Sequence, residues 1–200
     1  MILLTAFEPF GGEDTNSSLD TLRALPEAPD VCRAVLPVTF SGSVPALQAA
    51  IGRVRPDAVL CLGQAGGAEC VRVERVGLNL DDARMADNAG DIPRDRPIDQ
   101  MGPAAYFATL PVRRMADAIN AAGVRAVLSN SAGTFVCNHV LYGLLHHLAQ
   151  SCPGVPGGFI HLPYLAPKRN GIQLDDAVKA IVSAIDVVRS RQAATGNARP

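Results

Sequence analysis

Two hydrophobic periods alternate along this chain, and that alternation leaves few folds open to it. Apolar runs of strand length occur at MILLTAF, VCRAVLPV, DAVLCLG, RAVLSN and GGFIHLP. Helical spacing of apolar residues appears in SVPALQAAIGRV, RRMADAINAAG, NHVLYGLLHHLAQ and DDAVKAIVSAIDVVRSR. Strands and helices in turn predict an α/β fold. The strand runs are continuous rather than alternating, so both faces of the sheet must be covered. The expectation is a three-layer α/β/α domain around a twisted, mostly parallel (mixed) central sheet. In such sheets ligands bind beyond the carboxyl ends of the strands.

With 200 residues, 48% of them hydrophobic and 18% charged, the chain can bury one core, which predicts a single domain over residues 1–191. The last stretch, QAATGNARP, reads as a flexible tail over 192–200. A net charge of -1 and scattered lysines and arginines provide no basic field for nucleic acid. The opening MILLTAFEPFGG lacks a positive n-region, and its apolar run is too short for a signal peptide or a membrane span, which predicts a cytoplasmic protein. Cys32, Cys61, Cys70, Cys137 and Cys152 are odd in number and form no C-x-x-C pair, so free thiols are expected. The four histidines show no zinc spacing, which predicts no metal. Gly11 and Gly12 follow the first strand but precede neither a lysine nor a G-x-G-x-x-G pattern, so no nucleotide cofactor is expected either.

CVRVERVGLNL reads as an extended segment ahead of the long polar loop DDARMADNAGDIPRDRPIDQMGP, of a length often functional or mobile. On one uninterrupted strand Glu74 would share a face with Val76, Leu78 and Leu80. A carboxylate there wants a partner; an ion pair with Arg72 or Arg75 at the surface is the plainer alternative.

Cys137, in SNSAGTFVCNH, follows a strand and small residues that permit a tight turn, and it would occupy the first turn of the next helix. Unpaired backbone N–H groups and the helix dipole there favour a thiolate and could stabilise an oxyanion. Cysteine is also among the most often buried residue types, and small residues before a helix occur in ordinary α/β turns, so the residues alone leave both readings open. His139 points about 200° away from Cys137 on one helix, and His146 and His147 lie further turns along it. His161 stands at the end of the following strand and is the better base, with a core histidine as its plain alternative.

TAFEPFGG, GQAGG, ERVGLNLDDARMADNAG, GTFVCNH and GGFIHLP, in this order and at these intervals, closely resemble the pyroglutamyl peptidase I (pyrrolidone carboxyl peptidase) family of cysteine peptidases. The resemblance runs from Leu4 to about Pro167 and more weakly through the last helix. It implies a triad of Cys137 as nucleophile, His161 as base and Glu74 as the residue orienting it. It also implies an apolar pocket of Phe7, Phe10, Phe135 and Val136 around a pyrrolidone ring, with Asn16, Gln64 and Arg84 holding the centre and its loops. The chain departs from the family pattern at Ser17, Val73, Asn130 and Ser131, and at none of the three catalytic positions.

The implied activity is hydrolysis of the amide bond after an N-terminal pyroglutamyl residue through a thioacyl intermediate, without a cofactor, by a homo-oligomer, often a tetramer. A neutral, apolar slot suits a residue whose amine is locked in a lactam. A thiol amidase acting on another cyclic amide and a non-catalytic small-ligand binding protein on the same scaffold are the rival readings.

Overall fold

The computed structural model describes residues 1–196, with side chains described through residue 190. Its elements run β1 (Ile2–Phe7), α1 (Ser17–Ala24), β2 (Val31–Leu36), α2 (Ser43–Val54), β3 (Ala58–Gln64), β4 (Val71–Glu74), β5 (Val76–Leu78), β6 (Ala105–Phe107), α3 (Val112–Ala121), β7 (Ala126–Ser129), α4 (Val136–Ser151), β8 (Gly157–Leu162) and α5 (Leu174–Gly196). The main sheet has the order β2-β1-β3-β8-β4-β7. β2, β1, β3 and β8 are parallel; β4 runs against β8, and β7 is parallel to β4. The mixed α/β architecture follows the reading of the periods.

Strand alternation sorts the core into two layers. Ile2, Leu4, Leu60, Leu62, Ile160 and Leu162 pack with α1, α3 and α5, whereas Leu3, Phe7, Val59, Cys61 and Phe159 pack with α2 and α4. β1, β3 and β8 are buried along their whole length. That burial is why their sequences are continuously apolar, and each fully buried Leu or Ile side chain contributes about 1.5–3 kcal/mol relative to exposure.

Three details differ from the sequence reading. CVRVERVGLNL breaks at Arg75: β4 joins the main sheet, while β5 turns away to pair with β6 in a separate two-stranded sheet. The face shared with Val76, Leu78 and Leu80 therefore does not exist, because the backbone changes partners after Glu74. Helix α1 has a weak apolar stripe that the periods did not reveal; it is started by Asn16, whose side chain accepts a hydrogen bond from the Ser18 N–H. Helix α5 continues to Gly196, so residues 192–196 of the expected tail are helical, and 197–200 lie outside the described residues.

Candidate active site

Helix α4 begins at Val136 after an extended Phe135, and no side chain caps it. Cys137 lies in its first turn, as its spacing before the helical period predicts. The route to that turn is not a tight strand-to-helix elbow, however. β7 is parallel to β4 and so runs opposite to β8, and its carboxyl end points away from the carboxyl edge of β8. Residues 130–135 carry the chain back to that edge. Gly133, at φ 78°, supplies the left-handed residue of this return. Thr134 ties it down by donating its hydroxyl to the Asp82 carbonyl at 2.7 Å and accepting from the Asp82 N–H at 3.0 Å.

The sulfur faces β3 and β8. A Cβ built on Gly63 would lie 2.9 Å from Cys137 Sγ and 2.7 Å from the Phe159 ring, so only glycine leaves room for the thiol there. Gly63 pairs with His161 in the parallel register of β3 and β8. The His161 ring lies against Phe159, centroids 4.8 Å apart, and its Nδ1 is 2.8 Å from Glu74 Oε1.

Antiparallel register explains the last contact. Arg72 pairs with His161 and Glu74 with Phe159, which puts Glu74 on the same face as His161, diagonally across the ladder. Glu74 is wholly buried, and its Oε2 has no hydrogen-bond partner among the described residues. A carboxylate so placed is costly unless a positive partner compensates it. The surface ion pair with Arg72 or Arg75 is thereby set aside. Burial opposes protonation of His161, but the charge and hydrogen bond of Cys137, then the hydrogen bond and charge of Glu74, outweigh it and push its pKa up to about 9. The imidazole is thus protonated at neutral pH, with Nδ1 taken by Glu74 and Nε2 left for the sulfur.

The other expected residues divide into half-buried rings and residues that support the core and the loops. Phe10 and Phe135 are half-buried and face each other with ring centroids 6.0 Å apart. Phe7 and Val136 are buried in the core, Phe7 against Phe159 at 6.3 Å, so they back the site rather than wall an open slot. Asn16 donates to the Glu8 carbonyl at 3.0 Å, and Gln64 Oε1 accepts from the Ser17 N–H at 2.7 Å. Both hold the loop after β1. Arg84 is exposed and makes no ion pair among the described residues.

Several residues that sequence reasoning passed over matter as much. Asn138, next to the cysteine, accepts from the Leu78 N–H and donates to the Leu78 and Leu80 carbonyls, each at 2.9 Å, clamping β5 to the start of α4. A polar residue inside an apolar helical stripe was the available signal. Phe40 sets its edge against Phe135 at 5.4 Å. Asp87 receives the Phe40 N–H at 2.8 Å, and Glu8 receives the Val38 N–H at 3.1 Å and the Asn88 amide at 2.9 Å. The long loop is therefore tied to the site on several sides, and Asp81 and Arg96 exchange backbone hydrogen bonds of 2.7 and 3.0 Å across it.

A layered α/β sheet that gathers a cysteine, a histidine and a buried carboxylate at one edge defines a site of the cysteine-hydrolase class. The family profile described as pyroglutamyl peptidase matches residues 1–194, and the chain belongs to that family. It is 45% identical to a pyrrolidone-carboxylate peptidase of Gloeobacter violaceus, over 96% of this chain and 98% of that protein. A pyroglutamyl peptidase I of Bacillus amyloliquefaciens superposes with a TM-score of 0.86 at 40% identity, covering 92% of this chain and 93% of that one. A mutant pyrrolidone carboxyl peptidase of Pyrococcus furiosus superposes at 0.90 and 33% identity, covering 95% and 98%.

Proposed function

We propose that this chain is a cysteine exopeptidase that removes an N-terminal pyroglutamyl residue. The observation that carries the reading is His161 held between Cys137 and Glu74, where β8 ends beside the first turn of α4. Cys137 attacks the carbonyl joining pyroglutamate to the next residue. The carbonyl π pair becomes an oxyanion, which the free N–H groups at the start of α4 can receive. The C–N bond then breaks, His161 gives its proton to the leaving amine, and a thioester to pyroglutamate remains. His161, now neutral, takes a proton from water; the hydroxide adds to the thioester, and the sulfur leaves as thiolate. Glu74 fixes the imidazole tautomer and balances its charge. Phe10 and Phe135 offer flat, uncharged walls to a lactam that carries no amine for a carboxylate to bind.

The deciding assay is release of fluorophore from a pyroglutamyl amide under reducing conditions, with Cys137→Ala alongside. The variant is expected to lose activity on the order of 10⁴-fold or more while keeping its circular dichroism. Activity retained by the variant would sink the assignment. A folded but inactive parent would favour an amidase for another cyclic amide or a binding protein.

We also infer a cytoplasmic homo-oligomer, a tetramer by family resemblance. No helix of the described residues is long and apolar enough to cross a membrane. Light scattering on the purified chain tests the assembly, and a monomer at micromolar concentration would contradict it.

A further inference from the structure

Cys137 and Glu74 stand on different elements and meet through His161. A second link joins the same two elements away from the imidazole. Asn138, next to Cys137 on α4, holds the backbone of β5, and β5 begins two residues after Glu74. Together the two links close a ring that runs from Cys137 through Asn138, Leu78, Glu74 and His161 back to the sulfur.

The second link is stiff for three reasons. Asn138 is wholly buried, and its amide is fully used on β5: Oδ1 accepts from the Leu78 N–H, and Nδ2 donates both hydrogens, one to the Leu78 carbonyl and one to that of Leu80, each at 2.9 Å. The segment between Glu74 and Leu78 is itself fixed. The Arg75 N–H donates to the Ser129 carbonyl at 2.9 Å, the Arg75 carbonyl accepts from the Ala108 N–H at 2.8 Å, and Gly77 pairs with Tyr106 of β6. Finally, β5 lies directly on the backbone of α4. A Cβ on Gly77 would stand 2.8 Å from the Tyr142 nitrogen and 2.9 Å from its Cα, so only glycine allows this approach.

Consecutive helix residues point about 100° apart. Cys137 therefore aims its sulfur at Gly63 of β3 while Asn138 aims its amide at β5. Val140, Leu141 and Leu144 anchor α4 by apolar contact, which has no preferred direction. Hydrogen bonds do have one, so those of Asn138 oppose rotation of the helix about its axis. A side-chain atom about 5 Å from a helix axis moves about 1 Å when the helix rolls by about 10°. A displacement of that size between reacting groups costs about 10²-fold in rate.

Resting on the peptidase reading, we propose that Asn138 is a positioning residue: by tying α4 to the strand that follows Glu74, it keeps the Cys137 sulfur in register with His161. It acts through Cys137 rather than on the substrate.

The experiment compares Asn138→Ala and Tyr142→Phe with the parent on a pyroglutamyl fluorogenic amide, with rates expressed per cysteine titrated by a thiol reagent and His161 followed by NMR. Tyr142 lies one turn further along the same face of α4, and its hydroxyl donates to the Pro103 carbonyl at 2.9 Å. Its loss removes a bond of the same kind farther from the sulfur. Both variants are expected to lose thermal stability. Only Asn138→Ala should lower kcat, by about 10- to 10²-fold, with KM within about threefold. Against burial, which lowers the His161 pKa, the charge of Cys137 is the first of the influences that raise it to about 9. A displaced sulfur should therefore lower that value in Asn138→Ala and leave it in Tyr142→Phe. Asn138→Ser, which keeps one hydrogen-bonding group, should show an intermediate loss and takes the place of alanine if that variant does not fold. A folded variant at position 138 with parental kcat and a parental His161 titration overturns the proposal, as does an equal kinetic loss in Tyr142→Phe. A folded parent that releases no fluorophore overturns the peptidase reading, and the His161 titrations then still decide whether Asn138 positions the sulfur.

Discussion

Two histidine–carboxylate pairs lie beside helix α4, and they have the same groups but different surroundings. His161 meets Glu74 at 2.8 Å, both buried, with the ring's second nitrogen left for Cys137. His139 meets Asp81 with both carboxylate oxygens at 3.0 Å from Nδ1, but its ring lies edge-on to Phe40 at 5.6 Å. Asp81 also has the Arg96 guanidinium, at 3.5 Å, to balance it, whereas Glu74 has no cation other than the imidazolium among the described residues. A histidine paired with an acid is thus not catalytic in itself. What matters is whether the free nitrogen faces a nucleophile and whether the acid depends on the imidazole for its charge balance. On this comparison the His161 pair is the one we propose performs chemistry, and the His139 pair fastens the loop after β5 to α4.

Exchanging the acids tests that difference most severely. Glu74→Gln is expected to lower kcat about 10²- to 10⁴-fold, because the amide cannot balance an imidazolium and can select the wrong tautomer. Asp81→Asn should leave kcat within about threefold and cost about 1–3 kcal/mol in chemical denaturation, the cost of a disrupted buried hydrogen-bonded group. Equal kinetic losses in the two variants would erase the distinction.

A smaller effect is expected at Gly63. Adding one methyl there pushes on Sγ and on the Phe159 ring that supports His161. Gly63→Ala should therefore lower kcat about 10²-fold, since displacement of reacting groups by about 1 Å carries that cost. Active-site titration with a thiol reagent would show the cysteine still present. An alanine variant with parental kcat would mean that the sulfur is not confined by β3.

The mildest test is pH. The folded pKa of His161, raised to about 9, exceeds its ordinary value of 6.5, so the proton is retained at neutral pH and lost as pH rises through about 9. The stability contributed by this protonated pair is complete below 6.5 and declines through the same window. kcat/KM should fall on an alkaline limb near pH 9, and Cys137→Ala should lower the His161 value seen by NMR, because the sulfur's charge is the first of the influences raising it. An unchanged NMR titration in that variant would separate the two residues.

Much of this was legible in the chain itself. Continuous apolar runs identified β1, β3 and β8 as strands covered on both faces, since an unbroken run has no face to spare for water. The helical period after GTFV placed Cys137 in the first turn of α4, and local geometry alone turned His139 away from it. Family motifs implied a role for Glu74 that periodicity left open. The pairing of β4 with β8, the break at Arg75 and the reversed direction of β7 were decided by tertiary structure, because strand direction depends on partners far away in sequence. That same pairing buries Glu74 beside His161, with no other cation paired to it among the described residues. A local sequence pattern carries helix spacing and strand burial, whereas proximity across a sheet depends on how the whole chain closes its core.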